Sequence, residues 1–517
     1  MSEKFAYNHK HNRQATIVDK VVKTAKKCWN SPSRLEEESR SITCNISTRT
    51  QVKNVAIFFP SLGIGGGERV VRFLVDLFQD MGINPIILTN VPIHNLQNAP
   101  SLPKTVKSFV LPDSETMQCD NYRSRASAIY DVLVDNNVDA FIFAHWYIKT
   151  LAYDALIAKG LGISTHLYIQ SSFPLLFLDD DLPPRRCDIP FSYRLFDTVI
   201  CLSEMDKLFW EQFNDNVRVT YNPLTIAPAL RIPSKLDGHT VIWPARLNAD
   251  KCPERVIPIM QKLAERVPDA KLIMVGPVED GYRLTFLQLA EKYGVRDRIE
   301  LVGSQQEESM EKWYRQADAF LLTSKREGWS LALGEALAMG VPAVIYDLPY
   351  LTLARCKAVT SIPQGDSIAA ANALARLLID KPLAHRMASI GLNFISSIAS
   401  YDHKAFWKSC LEIDADEIED TTSNARETSI ELSRLMWREL FESFWSHSEH
   451  NTETIRKQQE TIFDLKEDLA NAHAIHQQEI QRLTEWYEKS KSLKIGRALT
   501  KIPRAIKASL KTKKNRS

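Results

Sequence analysis

The sequence lacks the features that mark a secreted or membrane-spanning protein. No apolar run approaches the ~18 residues that a membrane-spanning helix needs, and the His- and Lys-rich N-terminus has no apolar signal segment. The eight cysteines form no C-x-x-C pair and no metal-ligand spacing, which favours reduced structural thiols over disulfides or zinc ligands. We therefore expect a cytoplasmic protein that is neither secreted nor integral to a membrane.

Two further classes of binding protein are disfavoured. A net charge of +2 on 517 residues argues against a general affinity for nucleic acid. A dinucleotide-binding fingerprint would need glycine at positions 63, 65 and 68, but residue 68 is Glu. The predicted second strand also ends without an acid for an adenosine ribose, since Leu88–Asn90 supplies none. An NAD site is therefore not expected.

Short apolar runs that alternate with helical stretches fill the middle of the chain. The first series comprises Val55–Phe59, Pro85–Leu88, Ala140–Ala144, His166–Ile169, Val199–Leu202 and Val219–Tyr221. The second comprises Thr240–Trp243, Lys271–Val275, Ile299–Val302, Ala319–Leu322 and Ala343–Tyr346. This alternation is typical of parallel sheets covered on both faces. We predict an α/β fold of two Rossmann-like, doubly wound domains that face a cleft, with the ligand at the carboxyl ends of their strands.

Composition divides the chain into five segments. Residues 1–50 are predicted to be a basic N-terminal extension with one short amphipathic piece, and 51–225 and 226–412 to be the two Rossmann-like domains. Residues 413–490 read as helical, with an interrupted heptad pattern. This segment fits a self-associating coiled coil, a solvated single helix or a helix packed on the body. Residues 491–517 form a basic amphipathic tail.

The tail carries charge of one sign only. From Lys489 to the end there are eleven Lys or Arg residues and no acid. Basic residues near an anionic lipid surface each contribute up to ~1 kcal/mol. We therefore predict peripheral contact with the inner face of the cell membrane, and a nonspecific solvated tail is the alternative.

Two carboxylates surround a predicted helix start. Glu327 falls on the loop between the strand Ala319–Leu322 and the helix Leu331–Met339, and Glu335 lies two turns into that helix. The free N–H groups of Gly328–Leu331 would face an anion, while the acids could accept hydrogen bonds from sugar hydroxyls. The alternative is that both acids merely cap and solvate the helix.

Cations and glycines follow two other predicted strands. Arg246 and Lys251 come after Thr240–Trp243, where they could clamp a diphosphate, although two solvated surface cations are the plainer alternative. The glycine-rich segment Gly65–Gly67 opens a helix after Val55–Phe59, where a ligand could approach the backbone closely.

Taken in order, these motifs resemble those of glycosyltransferase family 4. The resemblance covers about residues 55–412 and includes G-G-G-E-R-V, the strand Val199–Ser203, the turn Tyr221–Pro223, A-R-L-(x)3-K, and E-x7-E followed by A-x-G-x-P. It implies the GT-B architecture and a retaining mechanism. It also implies specific roles: donor sugar contact by Glu327 and His145, ribose contact by Glu335, diphosphate contact by Arg246 and Lys251, backbone donors at Gly328, Trp329, Ser330 and Leu331, and the acceptor or phosphate side at Gly65, Gly66 and Gly67.

The sequence departs from the family pattern at four positions. Ala245 stands where a glycine is common, and Trp329 and Ser330 follow E-G where Phe and Gly or Pro are more usual. Gln170 occupies a region that often carries another histidine. These departures bear on the identity of the sugar rather than on donor binding itself.

The resemblance implies transfer of a hexose from a UDP- or GDP-sugar to a hydroxyl acceptor, either a glycan or a lipid-linked glycan, in bacterial surface polysaccharide or glycan biosynthesis. The D-x-D sequences within Asp179–Asp181 and Asp414–Asp416 are interpreted as loop acids, so no metal or other cofactor is expected. Two alternatives remain. The chain could be a non-catalytic scaffold in a glycan-assembly complex, held through residues 450–490, or a UDP-sugar epimerase.

Overall fold

The computed structural model of the chain describes residues 16–29, 35–42, 52–412 and Arg482, apart from 64, 94–101, 115, 179–187, 230–234, 279 and 306. All of these except Arg482 belong to one compact unit. The predicted coiled coil, apart from Arg482, lies outside the described residues, as do the basic tail and both D-x-D sequences. In the described ranges no helix combines the length and the apolar character needed to cross a bilayer.

The first lobe is built on a seven-stranded parallel sheet of order β3-β2-β1-β4-β5-β6-β7. Its elements are α1 (16–28), α2 (Leu35–Ser39), β1 (Asn54–Phe58), α3 (Gly66–Asp80), β2 (Asn84–Thr89), β3 (Lys107–Val110), α4 (Tyr122–Asp135), β4 (Ala140–Phe143), α5 (Leu151–Gly160), β5 (Ser164–Tyr168), α6 (Leu175–Leu178), α7 (Asp188–Ser192), β6 (Thr198–Cys201), α8 (Glu204–Trp210) and β7 (Val217–Val219). In register, Val55 lies opposite Pro85 on one side and Ala140 on the other. The strand order reverses at β1, which leaves a crevice above its carboxyl end.

The second lobe repeats this plan with a six-stranded parallel sheet of order β10-β9-β8-β11-β12-β13. Its elements are β8 (Thr240–Pro244), α9 (Val256–Ala264), β9 (Lys271–Val275), α10 (Asp280–Lys292), β10 (Ile299–Gly303), α11 (Glu307–Arg315), β11 (Ala319–Leu322), α12 (Leu331–Ala338), β12 (Ala343–Tyr346), β13 (Val359–Ile362), α13 (Ser367–Ile379), α14 (Lys381–Ala399) and α15 (His403–Leu411). Val241 pairs with Leu272 and Ala319, so the reversal falls at β8.

All eleven predicted strands are present, with ends that shift by up to two residues. The prediction missed β3 and β13, which are the outermost strands at one edge of their sheets. Three of the four β3 residues are exposed, and β13 buries only its last residue fully. Neither strand has the continuous apolar run that marks a strand buried on both faces.

The amphipathic piece of the predicted N-terminal extension packs on the first lobe. In α1, the side chains of Ile17, Val21 and Ala25 are buried. A Cβ added at Gly160, the last residue of α5, would lie 2.9 Å from Ile17 Cγ2. The Trp29 ring stacks on Tyr153 of α5 at 5.2 Å. This segment therefore contributes to the core of the first lobe, while the domain boundaries themselves stay predictions.

The helix α15 follows the second lobe in sequence but packs against the first. The Trp407 ring lies 5.5 Å from both Phe78 of α3 and Tyr168 of β5. Arg218, the middle residue of β7, donates to the Ser409 carbonyl at 2.9 Å. The chain thus crosses back after the second sheet, and α15 fastens the second lobe to the first.

Candidate functional site

A cavity of about 280 Å³ lies between the two lobes, where loops leave the carboxyl ends of several strands of both sheets. Loops after β1, β5, β8, β9, β10 and β11 contribute to its wall, as does the start of α12. Eleven of the twelve predicted site residues line it: Gly65, Gly66, Gly67, Arg246, Lys251, Glu327, Gly328, Trp329, Ser330, Leu331 and Glu335. The predicted convergence of two cations and two acids on one hollow is therefore present.

Glu327 is held by a cation from the neighbouring strand. Lys251, which follows β8, places Nζ 2.6 Å from Glu327 Oε1, and Ser324 Oγ donates to the same oxygen at 2.7 Å. The Glu327 side chain is only 8% exposed. A carboxylate so far removed from water needs a charged partner. Lys251 can reach it because β8 and β11, which precede Lys251 and Glu327, are paired neighbours in the sheet.

Glu335 has three protein partners, and it is only 5% exposed. Arg69 Nη1 and Thr225 Oγ1 donate to Oε1 at 2.9 and 2.5 Å, and the Tyr314 hydroxyl donates to Oε2 at 2.7 Å. Burial, and then Glu335 itself, raise the pKa of Tyr314 well above its ordinary value, so the phenol keeps its proton and donates. Arg69 comes from α3 of the opposite lobe, so this contact joins the two lobes.

These three partners of Glu335 were not assigned a role from sequence. Arg69 is part of the G-G-G-E-R-V motif, and a basic residue at the start of a helix beside the predicted phosphate site was the available signal. Tyr314 lies on α11 and Thr225 lies in the connection between the lobes, in segments with no motif of their own. Only the folded arrangement brings them to Glu335.

The glycines of the first lobe allow a close approach between the lobes. A Cβ at Gly65 would lie 2.6 Å from Arg246 Nη2 and 2.9 Å from Glu68 Cδ. A Cβ at Gly66 would touch Leu331 Cδ1 at 3.4 Å. The Arg246 guanidinium and the Glu68 carboxylate are therefore neighbours, and the starts of α3 and α12 meet at the cavity. A side chain at residue 65 would separate them.

The start of α12 combines a strained backbone with an unpartnered donor. Ser330 immediately precedes the helix in the left-handed region, at φ 62° and ψ 75°, which is uncommon for any residue other than glycine. Trp329 is 3% exposed and its ring lies 5.5 Å from Tyr221. Its indole nitrogen has no hydrogen-bond partner among the described residues. Trp329, Ser330 and Leu331 line the cavity, so the free backbone N–H groups of this helix start lie beside it.

The E-G turn also packs directly on the first lobe. A Cβ at Gly328 would collide with the Gln170 carbonyl, and Ser172 Oγ donates to the Glu327 carbonyl at 3.1 Å. Asn222 donates to Gln170 Oε1 at 3.0 Å, which fixes the Gln170 side chain at the cavity wall. Gln170, one of the departures from the family pattern, is thus a structural part of this wall.

His145 is the one predicted site residue that is not among the residues lining the cavity. It follows β4, and its partly buried ring packs edge-on against Phe59 at 5.8 Å. Burial lowers the pKa of His145 to about 4, so the imidazole is neutral at pH 7. The structure thus gives His145 a packing contact, and its contact with a donor sugar stays a prediction.

Acidic, histidine and cysteine side chains do not gather into a metal site in the described part of the chain. The described residues contain no group of three or more His, Cys, Asp or Glu side chains that could hold a metal ion. Six cysteines are described and all are free thiols: Cys28, Cys119, Cys201, Cys252, Cys356 and Cys410.

Two facing Rossmann-type lobes with a ligand-sized cavity between them define the GT-B architecture, and a known structure agrees. HepE of Anabaena, solved in complex with UDP and glucose, superimposes with a TM-score of 0.54 at 15% identity, over 70% of this chain and 100% of that one. The predicted fold class is thereby confirmed. Residues 231–393 match the family model of glycosyl transferases group 1. This match falls in the second lobe and agrees with the predicted resemblance to a glycosyltransferase, whereas membership of family 4 stays a prediction.

Curated relatives match shorter parts of the chain. It is 31% identical over 193 residues to an exopolysaccharide phosphotransferase of Streptomyces coelicolor, which covers 36% of this chain and 20% of that protein. It is 28% identical over 153 residues to a glycosyltransferase of Haemophilus influenzae, which covers 29% of this chain and 42% of that protein. The chain thus spans less than two thirds of the length of each of these relatives.

Proposed function

We propose that this chain is a retaining glycosyltransferase that moves a hexose from a UDP- or GDP-sugar to the hydroxyl of a glycan or lipid-linked acceptor. The observation that carries the proposal is the convergence of Arg246, Lys251, Glu327 and Glu335 on one cavity between the two sheets. Cations suit a diphosphate, and carboxylates suit the hydroxyls of the sugar and the ribose.

Each group then has a chemical task. Arg246 and Lys251 hold the diphosphate and offset the negative charge that grows on it as the sugar leaves. Glu327 orients the sugar through its hydroxyls, and Glu335 holds the ribose. The donors at the start of α12 face the same charge. The positive charge needed at the leaving group is supplied by side chains and backbone, so the proposed reaction requires no metal.

The proposed reaction needs no side chain of the protein as a base. The bond between the anomeric carbon and the phosphate oxygen breaks, and the acceptor oxygen bonds to the anomeric carbon on the same face. The acceptor proton passes to the departing phosphate oxygen, because Glu327 and Glu335, two acids among the described lining residues, are both paired with cations. Retention of configuration at the anomeric carbon follows from attack on that face.

The relatives support this setting in general terms. One solved neighbour was determined in complex with UDP and glucose, and one curated relative is named an exopolysaccharide phosphotransferase. A role in bacterial surface polysaccharide or glycan synthesis fits both. Peripheral membrane contact through the basic tail 491–517 would bring the site to a lipid-linked acceptor and remains part of the proposal.

The test begins with the purified full-length chain and a panel of UDP- and GDP-sugars, with release of nucleoside diphosphate as the readout. On the best donor, Arg246→Ala should slow turnover at least ~10-fold, because a charged hydrogen-bond partner contributes ~1.5 to 3 kcal/mol. The matched control is Arg315→Ala, since Arg315 is 53% exposed and pairs with Glu311 on the surface of α11.

Three outcomes would contradict the proposal. Wild-type turnover in Arg246→Ala and in Glu335→Ala would remove the assigned roles. Failure of the wild-type chain to bind either UDP or GDP in calorimetry would favour a scaffold instead. Conversion of the sugar nucleotide into a different one in the absence of any acceptor would favour an epimerase.

A further inference from the structure

A third cation borders the cavity beside Arg246 and Lys251. Arg69 lies in the first turn of α3, and its side chain is 27% exposed and lines the same space. Its Nη1 is 2.9 Å from Glu335 Oε1, across the cleft between the lobes. The side chain that holds Glu335 therefore also faces the region where the diphosphate would lie.

The carboxylate of Glu335 has limited room for a further ligand. A carboxylate offers about four acceptor positions, two on each oxygen. Arg69 and Thr225 both occupy Oε1, and Tyr314 occupies one position on Oε2. A ribose that uses both oxygens for its neighbouring hydroxyls therefore competes with a donor on Oε1.

Of the two donors on Oε1, Arg69 is the one that can leave Glu335 and gain another anionic partner in exchange. Thr225 has a short side chain, so its hydroxyl has little reach beyond Glu335. If it left Glu335, it would lose a charged partner and gain no equally strong one. Arg69 has a long side chain with a guanidinium that forms paired hydrogen bonds with phosphate oxygens. Moving it from a carboxylate to a phosphate exchanges one anionic partner for another.

We propose that Arg69 is a switching residue of the donor site, which pairs with Glu335 while the site is empty and turns onto the diphosphate when the ribose takes its place. The inference rests on the proposed function and extends it. Arg69 then adds a third positive group, from the first lobe, to the two that the second lobe supplies. Donor binding also couples the two lobes, because the ribose and diphosphate replace a direct contact between them.

The switch predicts opposite effects on two parts of the same ligand. Without Arg69, a nucleoside meets no competitor on Glu335 Oε1 and should bind at least as tightly as in the wild type. A nucleoside diphosphate loses a charged contact and should bind more weakly. The ratio of the two dissociation constants therefore reports the switch separately from general damage to the site.

The experiment measures the dissociation constants of uridine and UDP, or of guanosine and GDP, by NMR or calorimetric titration of the full-length chain. In Arg69→Met, the preference for the diphosphate over the nucleoside should fall at least ~10-fold. The matched control is Arg72→Met, since Arg72 lies three residues further on α3 and pairs with Asp76 outside the cavity. Its preference should equal that of the wild type.

A fixed structural contact gives a different result. If Arg69 only ties the lobes together, Arg69→Met weakens both ligands alike, and an unchanged ratio overturns the inference. Should Arg69→Met fail to fold because Glu335 is left buried without its cation, Arg69→Lys decides. Lysine keeps the charge but not the paired geometry, so a ratio within ~2-fold of wild type in that variant also overturns the inference. A wild-type chain that binds neither diphosphate overturns the proposed function as well, whereas diphosphate binding with an unchanged ratio overturns the switch alone.

Discussion

Replacing Tyr314 with phenylalanine would remove one hydroxyl from behind the candidate donor site. Tyr314 is 0% exposed, and its hydroxyl donates to Glu335 Oε2 at 2.7 Å. Arg69 and Thr225 both bond the other oxygen, so neither replaces it. A hydrogen bond to a charged group contributes ~1.5 to 3 kcal/mol when its partner is buried. Tyr314→Phe should therefore lower the free energy of unfolding by about that amount.

The measurement is urea unfolding followed by far-UV circular dichroism. Tyr293→Phe serves as the control, because Tyr293 is 41% exposed and its substitution should change stability by less than ~0.5 kcal/mol. Both variants should keep the wild-type dependence on urea, since neither alters the surface buried on folding. A loss in Tyr314→Phe no greater than that of the control would show that the hydroxyl does not support Glu335.

A double-mutant cycle makes the assignment specific. Glu335→Gln removes the charge that strengthens the hydrogen bond, so Tyr314→Phe should cost less in that background. We expect a coupling energy of at least ~1 kcal/mol between the two positions. Equal costs of Tyr314→Phe in the two backgrounds would refute the account of Glu335 as a carboxylate held by this hydroxyl.

Two further predictions concern pH and backbone strain. Burial lowers the pKa of His166 to about 4 from an ordinary 6.5. As the pH falls from 6.5 toward 4, the unfolded chain therefore binds the proton before the folded chain does, and the free energy of unfolding decreases. By pH 5 this loss is about 2 kcal/mol. The urea midpoint should therefore change less between pH 7 and pH 5 in His166→Gln than in the wild type, whereas substitution of the exposed His385 by Gln should leave that change as it is. Ser330→Val should be ~1 to 2 kcal/mol less stable than Ser330→Gly in thermal unfolding, because a β-branched residue fits the left-handed region poorly. Equal midpoints of the two Ser330 variants would contradict that strain.

The strands predicted with exact ends include two that are buried along their whole length. Ala319–Leu322 and Ala343–Tyr346 are continuous apolar runs and form as predicted. Lys107–Val110 and Val359–Ile362 escaped prediction because an edge strand needs burial on one side only. The docking of α1 also escaped prediction, since the surface that receives it is made at Gly160 and nearby residues far along the chain.

The candidate site was predictable where a motif ties a residue to a strand end. Glu327 and Lys251 come after adjacent strands, so parallel pairing of β8 and β11 brings them together. Glu335 was found by the same logic, but its partners were not. Arg69 and Glu335 are 266 residues apart and lie on different lobes. No spacing within a motif encodes such a contact, because it depends on how the two sheets face each other.

The two acids of the site are paired with its cations for an energetic reason that shapes ligand binding. Glu327 is 8% exposed and Glu335 is 5% exposed, and an unpaired charge at such depth costs several kcal/mol. Each acid has a cation as partner: Lys251 pairs with Glu327, and Arg69 pairs with Glu335. Under the proposed function, a sugar nucleotide would exchange these partners, and its affinity would reflect the difference between two sets of contacts rather than the sum of the new ones. A molecule that offers only phosphates, or only hydroxyls, leaves one member of each pair without compensation. Selection for a ligand that carries both groups at the right separation thus follows from the burial of the site itself.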